Sequence, residues 1–307
     1  MHVRVLGASA GGGLPQWNCG CPNCTAARAD SPDIRSRTQS SVAVSGDGQV
    51  WFLLNVSPDI RQQLADFPAL GPPDGKLRGT AIGGCVITNA ELDHTTGLYL
   101  LREGCQFSIY STSVVRRWLN QYNRIEPVVT SFADRPWFEL TLDEPFELQS
   151  PDDGPSGLCV RAFETDCHVP RFVSEEAERA TDSEIGLVID DLRTGGRFVY
   201  VPCVAALDDA LFNAVEGADC ILCDGTFWSD DEPQQFGIAN RTSREMGHVP
   251  VDGPEGTLAW LADLPIRHRV YAHINNTNPM LNHSSPQYKL VRQGGVQVGQ
   301  DGDHFEL

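Results

Sequence analysis

The sequence predicts an α/β protein in which strands and helices are distributed along the whole chain. Strand-like apolar runs occur in the first half and recur in the second, and each half also contains helical segments. A polar loop at 150–157 separates the two halves. A length of 307 residues is sufficient for one large core. We therefore expect one domain over residues 1–307, formed from two βα-rich halves that divide near 150–157.

The first half is expected to begin with strands and to continue with helices. A Gly46-Asp47-Gly48 turn between two apolar runs indicates a β-hairpin. The segment Ser57-Pro58-Asp59 is typical of a helix N-terminus. The glycine-rich loop at 10–14 lacks the spacing of a phosphate-binding loop. The predicted elements are strands at 2–7, 40–45, 50–56 and 85–88, and helices that start after Ser57 and cover 96–103 and 111–122.

The second half repeats the pattern of strands with intervening helices. Short apolar runs bounded by glycine, aspartate and proline indicate the strands. The Asp301-Gly302 pair predicts a turn in a hairpin that covers 297–307. The predicted elements are strands at 158–164, 186–190, 197–201, 218–223 and 269–273, and helices at 205–215 and 254–262.

Composition restricts the classes of partner. The 23 basic and 41 acidic side chains give a formal net charge of −18, which repels nucleic acids and anionic membranes. The sequence has no apolar run of about 18 residues, and its N-terminal apolar stretch is too short for a signal peptide. We therefore expect a cytoplasmic protein that binds neither nucleic acid nor membrane. The isolated cysteines, including Cys85, Cys105, Cys159 and Cys203, are interpreted as small buried apolar residues.

Three cysteines lie within six residues in the segment "NCGCPNC". The spacing of Cys19, Cys21 and Cys24 places three thiolates on one side of a tight turn, which suits tetrahedral zinc with one further ligand. An iron–sulfur cluster requires a fourth cysteine. Cys220 and Cys223 do not offer a chelating pair, because residues three apart on a strand face opposite ways. We predict a structural zinc site.

The segment "TNAELDHTTGL" at 88–98 resembles the metal-binding loop of the metallo-β-lactamase superfamily, T-H-x-H-x-D-H-x-x-G-L. Asp93 and His94 are retained, whereas Asn89 and Glu91 stand at the positions of the first two histidines. The resemblance implies a four-layer αββα sandwich with two sheets face to face. It also matches four later residues to the superfamily's metal site, which are His168 in "ETDCHVPRF", Asp224 in "LCDGTFW", His248 in "MGHVPV" and His273 in "YAHINNTNP".

The resemblance implies that one metal position is lost and the other retained. The first position requires both loop histidines together with His168. The second uses Asp93, His94 and His273, with Asp224 as a bridge, and this set is complete. Two imidazoles and carboxylates with open coordination positions suit Fe(II), although the same ligands accept zinc. Asn89 and Glu91 are therefore expected to act in catalysis beside a single metal, and Glu91 can add another oxygen ligand.

A phosphodiesterase family that this chain resembles completes the zinc site with a different residue. That family carries the same cysteine cluster, and its fourth ligand is a histidine three residues after the last active-site histidine. The matching position in this chain is Asn276. Either the asparagine oxygen serves as the ligand or His283 approaches the cluster, and the sequence leaves these alternatives open.

The ordered set of motifs along nearly the full chain resembles the family of pyrroloquinoline quinone (PQQ) biosynthesis protein B. This resemblance implies an iron- and oxygen-dependent hydroxylase of the tyrosine ring in a small Glu–Tyr-derived precursor. His168 or His248 is then the expected base. Substrate contacts are expected from Arg171, from Arg241 or Arg244, and from Trp228.

Other functions and partners are also considered. A non-catalytic carrier or transport protein for PQQ or its precursor is one alternative, and a metal-dependent hydrolase or phosphodiesterase is the other. The partners to consider are the small-molecule substrate, other proteins of PQQ biosynthesis and a second copy of this chain in a homodimer.

Overall fold

Two seven-stranded sheets form the centre of the computed structural model, which describes residues 1–150, 154–165, 169–173 and 182–307. The sheets have the strand orders β14-β1-β2-β3-β4-β5-β6 and β13-β12-β11-β10-β9-β8-β7, with strand bounds β1 His2–Gly7, β2 Ser41–Ser45, β3 Trp51–Leu54, β4 Ile82–Val86, β5 Ser108–Ser111, β6 Trp137–Glu139, β7 Pro145–Ser150, β8 Gly154–Glu164, β9 Ile185–Asp191, β10 Arg197–Val201, β11 Cys220–Asp224, β12 His268–Ala272, β13 Gln297–Val298 and β14 His304–Glu306.

The helices are short and lie between the strands in sequence. None of the described helices is long and apolar enough to cross a membrane. Their bounds are α1 Pro22–Arg28, α2 Ile60–Asp66, α3 Leu92–Thr95, α4 Gly97–Leu100, α5 Ser113–Trp118, α6 Ile125–Val129, α7 Asp209–Ala214, α8 Glu232–Gln235, α9 Thr257–Asp263 and α10 Pro286–Gln293.

Three apolar clusters account for the layered packing. The central cluster joins the two sheets, since Val44 and Phe52 from the first pack with Val160 and Phe198 from the second. One outer cluster packs α2 and α5 on the first sheet. The other packs α7, α9 and α10 on the second. Burial of apolar side chains between all layers stabilises the order helix, sheet, sheet, helix, and this confirms the predicted αββα sandwich.

The opposite faces of β11 illustrate this arrangement. Cys220 packs in the cluster between the sheets, whereas Cys223 packs in the outer cluster of the second sheet. The two thiols therefore point into different layers, as the period-two rule for strands predicts.

The predicted C-terminal hairpin is wrong. β13 pairs with β12 in the second sheet, and β14 pairs with β1 in the first. The Asp301 carboxylate accepts hydrogen bonds from the backbone N–H groups of Ala8 and Thr38, which anchors the intervening segment to the first sheet. The Asp-Gly turn therefore directs the chain from one sheet to the other.

The change of sheet also falls earlier than the division predicted at 150–157. The chain leaves the first sheet after β6 and enters the second at β7, across residues 140–144. β7 and β8 are antiparallel partners, and the predicted loop coincides with their connection, of which 151–153 lie outside the described residues. Strand pairing across this polar connection was not evident from its composition.

Candidate metal centre

The loop after β4 carries the retained part of the metal-binding motif. Asn55 holds the base of this loop, because its Oδ1 accepts a hydrogen bond from the Thr88 N–H at 3.0 Å and its Nδ2 donates to Thr88 Oγ1 at 2.9 Å. The short helix α3 then contains both Asp93 and His94. Local hydrogen bonding therefore fixes the direction in which this helix leaves the sheet.

Asp93, His94 and His273 meet at the carboxyl ends of β4 and β12. Their ligand atoms all lie within 4.8 Å of one another. Asp93 Oδ2 is 3.5 Å from His273 Nε2 and 3.9 Å from His94 Nε2. Among the described residues, no hydrogen-bond partner reaches the buried Nε2 atom of His94. A buried nitrogen without a partner, aimed at a carboxylate and a second imidazole, fits a metal ligand set.

Each imidazole is held through its other nitrogen. His94 Nδ1 donates to Asn89 Oδ1 at 2.8 Å, and His273 Nδ1 donates to Thr226 Oγ1 at 2.8 Å. Both Nε2 atoms therefore carry the lone pair that a metal requires. His273 also adopts a left-handed backbone conformation with φ of 52°, which is uncommon outside glycine and occurs at functional sites.

The electrostatics of the site agree with ligand character. Burial lowers the pKa of His94 to about 4, which keeps its imidazole neutral. Burial alone raises the pKa of the Asp93 carboxyl, but the neighbouring His94 and His273 hold it below its usual range. A neutral imidazole beside an ionised carboxylate is the form in which both side chains bind a divalent cation.

Asp224 is completely buried at the end of β11, and hydrogen bonds occupy both of its oxygens. Oδ1 accepts from the N–H and the hydroxyl of Thr226 at 2.9 and 2.6 Å. Oδ2 accepts from the Val204 N–H at 3.0 Å and from His248 Nδ1 at 2.7 Å. This carboxylate therefore orients His248 and Thr226, and its role as a metal ligand, which the sequence resemblance implied, stays a prediction.

Asn89 and Glu91 have separate environments. Asn89 Nδ2 donates to Glu184 Oε1 at 2.8 Å, so both ends of the Asn89 amide are used in hydrogen bonds. Burial, together with the carboxylates of Asp93 and Glu184, raises the pKa of Glu91 to about 7. Asn89 therefore orients His94, while the Glu91 carboxyl faces the cavity.

A cavity of about 270 Å³ opens beside these side chains. Arg171 and Arg241, for which the sequence predicts substrate contacts, line this cavity, whereas Arg244 donates to the backbone oxygen of Glu255. Trp228 was also predicted to contact substrate. Its side chain packs in the outer core of the second sheet, whereas its neighbour Phe227 lines the described cavity.

The cavity lining also includes residues that the sequence did not single out as functional, among them Gly11, Glu184 and Cys203. Gly11 belongs to the glycine-rich loop, and a Cβ atom there would lie 3.2 Å from Asp93 Oδ2. The unexplained glycine-rich loop was a usable signal for Gly11, whereas nothing local marks the other two. His168, the remaining predicted histidine, lies outside the described residues.

The three clustered cysteines come together at the start of α1. Their sulfur atoms lie within 4.8 Å of one another, and the Asn276 amide nitrogen is 3.1, 3.5 and 3.3 Å from the sulfurs of Cys19, Cys21 and Cys24 respectively. Of the two residues that the sequence left open, Asn276 is therefore the one beside the thiols. His283 packs against Tyr288 with ring centroids 4.8 Å apart. Three converging thiols fit a zinc ion.

The fold and the paired histidine–carboxylate site define a member of the metallo-β-lactamase superfamily, and the model of the Beta-lactamase superfamily domain matches residues 50–274. Within it, the chain belongs to the coenzyme PQQ synthesis protein B family. The protein of that name from Azoarcus sp. strain BH72 is 41% identical over 304 residues, with 98% of each chain covered. The one from Pseudomonas fluorescens strain SBW25 is 40% identical over 309 residues, with both chains fully covered.

Solved structures agree with this assignment. A Zn²⁺-bound PqqB from Methylobacterium extorquens superposes with a TM-score of 0.90 at 37% identity, and the match covers 100% of both chains. A diphosphatase of the PhnP family gives a TM-score of 0.67 at 20% identity and covers 100% of this chain and 97% of its own. The second comparison concerns the fold alone.

Proposed function

We propose that this protein acts in PQQ biosynthesis as an iron- and oxygen-dependent hydroxylase of the tyrosine-derived ring of a Glu–Tyr precursor. The observation that carries the proposal is the buried, unpartnered Nε2 atom of His94 beside Asp93 and His273, combined with the use of Asn89 in hydrogen bonding. The retained ligand set is arranged to bind a metal. Asn89, which replaces the first histidine of the lost set, is instead engaged in hydrogen bonds. The names of the relatives support the pathway.

The proposed active-site metal is Fe(II), held by His94, His273 and a carboxylate set from Asp93 and Asp224. Two imidazoles and a carboxylate leave coordination positions free, and Fe(II) in such a site supplies dioxygen activation. The Zn²⁺ ion of the Methylobacterium extorquens structure supports the capacity of the family to bind a divalent cation. A two-metal hydrolase is disfavoured, because Asn89 replaces a histidine ligand of the other metal position and both ends of its amide are engaged in hydrogen bonds.

His248 is the proposed base for the substrate phenol. Its Nδ1 donates to the buried Asp224, which leaves Nε2 facing the cavity as a proton acceptor. Burial by itself lowers the pKa of His248, but the Asp224 carboxylate raises it above the usual value. A base with such a partner holds the abstracted proton stably. His168 and Glu91 remain proposed catalytic residues, and Glu91, which lines the cavity, is proposed to exchange protons with the substrate.

Arg171 and Arg241 are the proposed partners of the substrate carboxylates. Both line the cavity mouth and are exposed, so their guanidinium groups can move onto an entering ligand. The cavity volume of about 270 Å³ suits a small molecule rather than a polymer. A diamino acid with a phenol therefore matches the cavity in size and in charge.

The cysteine cluster is proposed to hold a structural zinc. Cys19, Cys21 and Cys24 supply three thiolates, and Asn276 supplies the fourth ligand when its amide turns its oxygen toward the ion. Closure of the shell by four protein ligands leaves no position for substrate. The ion then fastens the start of α1 to the segment that follows β12.

The test is reconstitution with Fe(II) under anaerobic conditions, followed by addition of the Glu–Tyr diamino acid, a two-electron reductant and oxygen. We expect oxygen uptake, one oxygen atom inserted into the ring, and the second released as water with the supplied electrons. Turnover without oxygen, or equal turnover of protein carrying zinc alone, would refute the hydroxylase. Tight binding of PQQ without oxygen uptake would support a carrier instead.

A further inference from the structure

Asn275 presents an amide to the cavity from the segment that follows β12. Its side chain is almost fully buried and belongs to the cavity lining. Its backbone is held on both sides, because its N–H donates to the Thr226 oxygen at 3.1 Å and its carbonyl accepts from the Asn278 N–H at 3.0 Å. The amide can therefore change orientation only by rotation about its own side-chain bonds.

A chain of hydrogen bonds behind the cavity sets this orientation. Glu232 is buried in α8, where its Oε2 atom accepts from the Trp228 N–H and its Oε1 atom accepts from the Thr277 hydroxyl. The Thr277 hydroxyl uses its single proton on Glu232, so its oxygen must accept from Asn275. Asn275 Nδ2 donates to that oxygen at 2.6 Å. The Asn275 Oδ1 atom therefore points away from Thr277 and toward the cavity.

The charges of the cavity indicate which ligand group this oxygen can meet. The bond to Thr277 is the one side-chain hydrogen bond that Asn275 makes with described residues, so its Oδ1 atom is available to a ligand. Glu184 lines the same cavity, whereas the exposed Arg171 and Arg241 line its mouth. An acceptor oxygen in a cavity with a carboxylate favours a cationic donor. The cavity therefore suits a ligand whose ammonium group faces inward and whose carboxylates face the mouth.

We propose that Asn275 selects for an ammonium group on the substrate, and that Thr277 and Glu232 are positioning residues that keep its oxygen turned toward the ligand. The inference deepens the proposed function and rests on it, since a Glu–Tyr diamino acid carries such groups. It also gives Glu232 an influence on ligand choice, although Glu232 is not part of the cavity lining.

Glu232→Gln should invert the amide of Asn275. The Trp228 N–H still requires an acceptor, so the substituted side chain places its oxygen there and its nitrogen against Thr277. The Thr277 oxygen then accepts from this nitrogen, and its hydroxyl proton is donated to the Asn275 oxygen. The Asn275 nitrogen is left facing the cavity, where it repels an ammonium group. A change at a buried carboxylate thereby reverses the polarity of the group presented to the ligand.

Calorimetric titration without oxygen measures ligand binding in the absence of turnover. The protein carries zinc at the cysteine cluster and Fe(II) at the active site, and the pH is above the pKa of Glu232, which burial raises to about 7. The ligands are the Glu–Tyr diamino acid and an analogue in which hydrogen replaces both amino groups. The wild type should prefer the diamino acid by about tenfold or more. Asn275→Ala and Glu232→Gln should each lower this preference by about tenfold, with little change in affinity for the analogue.

Thr277 provides a matched pair of variants. Thr277→Ser keeps the hydroxyl and should keep the preference, whereas Thr277→Val should lose it. Glu255→Gln removes a carboxylate at an exposed position and is the control. Metal content and circular dichroism verify each variant, and Glu232→Gln decides the positioning role if Thr277→Val does not fold.

The outcomes separate this inference from the proposed function. An unchanged preference in Asn275→Ala overturns the selection of an ammonium group, and an unchanged preference in Glu232→Gln overturns the positioning role. Either result leaves the proposed function intact. Failure of the wild type to bind either ligand overturns both the inference and the proposed substrate.

Discussion

His94 Nδ1 donates a hydrogen bond to Oδ1 of Asn89 across 2.8 Å. Asn89 stands where the sequence resemblance places a metal-binding histidine, and here its amide holds His94, which is a proposed metal ligand. The chain of hydrogen bonds continues from Asn89 Nδ2 to Glu184 Oε1 at 2.8 Å. Because Glu184 accepts from the amide nitrogen, the amide oxygen must face His94 and select its tautomer.

Asn89→Ala should weaken Mn²⁺ or Fe²⁺ binding at the active site by about 10- to 100-fold, because His94 loses the partner that fixes its ring. Titration calorimetry measures this change on protein that carries zinc at the cysteine cluster and has an empty active site. Glu184→Gln should give a smaller loss in the same direction, since its amide can rotate to offer an oxygen to Asn89. Asn213→Ala, on an exposed position of α7, is the control. An unchanged dissociation constant in Asn89→Ala would contradict the orienting role.

Asp93→Ala and His94→Ala should each abolish iron binding and oxygen-dependent turnover. Both side chains converge on the same point, and loss of one leaves too few ligands to hold the ion. The cysteine-bound zinc and the circular dichroism spectrum should persist. Metal analysis and oxygen uptake provide the measurements, and a variant that keeps both iron and activity would show that the ligands lie elsewhere.

Cys21→Ser should release about one zinc ion per chain and lower the melting temperature, because the free energy of metal binding contributes to folding. The sulfurs of all three clustered cysteines lie within 4.8 Å of one another, so removal of one opens the shell. Cys105→Ser changes a cysteine outside both metal groups and serves as the control. Retention of the full zinc content in Cys21→Ser would exclude a zinc role for the cluster.

His248→Gln should slow turnover while iron stays bound. In the wild type, His248 Nδ1 donates to Asp224 at 2.7 Å, and the glutamine amide can donate to the same carboxylate. The variant lacks the ring nitrogen that accepts a proton from substrate. Single-turnover kinetics with the iron-loaded protein tests the role. Loss of iron from the variant would instead identify His248 as a ligand of the hard ion.

Glu232 should make the free energy of unfolding depend on pH. Burial raises the pKa of its carboxyl to about 7, although hydrogen bonds from Thr277 and from the Trp228 N–H oppose the shift. An acid whose pKa is higher in the folded state stabilises the fold at low pH. This contribution is lost as pH rises from the unfolded value of about 4.3 through about 7, with a total of about 4 kcal/mol at most.

Glu232→Gln removes the titrating group, so urea unfolding across this pH range should show a flatter profile than the wild type. Glu255→Gln, at an exposed position, should leave the profile unchanged. Identical profiles for wild type and Glu232→Gln would show that Glu232 titrates normally.

Spacing along the chain was sufficient to predict the parts of this protein whose chemistry is local. Cys19, Cys21 and Cys24 lie within six residues, and Asp93 and His94 are adjacent, so a single turn of chain presents each group. Strand periodicity likewise placed Cys220 and Cys223 on opposite faces of β11. These features depend on backbone geometry over a few residues, and spacing alone predicts them.

Packing of the whole molecule sets which distant groups share a hydrogen bond or a cavity. Asn89 and Glu184 are 95 residues apart in the chain, and Cys203 reaches His248 and His273 only because β10, β11 and β12 are neighbours in one sheet. The separation of β13 from β14 depends in the same way on anchoring of Asp301 by Ala8 and Thr38. Such contacts follow from the packing of whole strands and layers, which no local periodicity encodes.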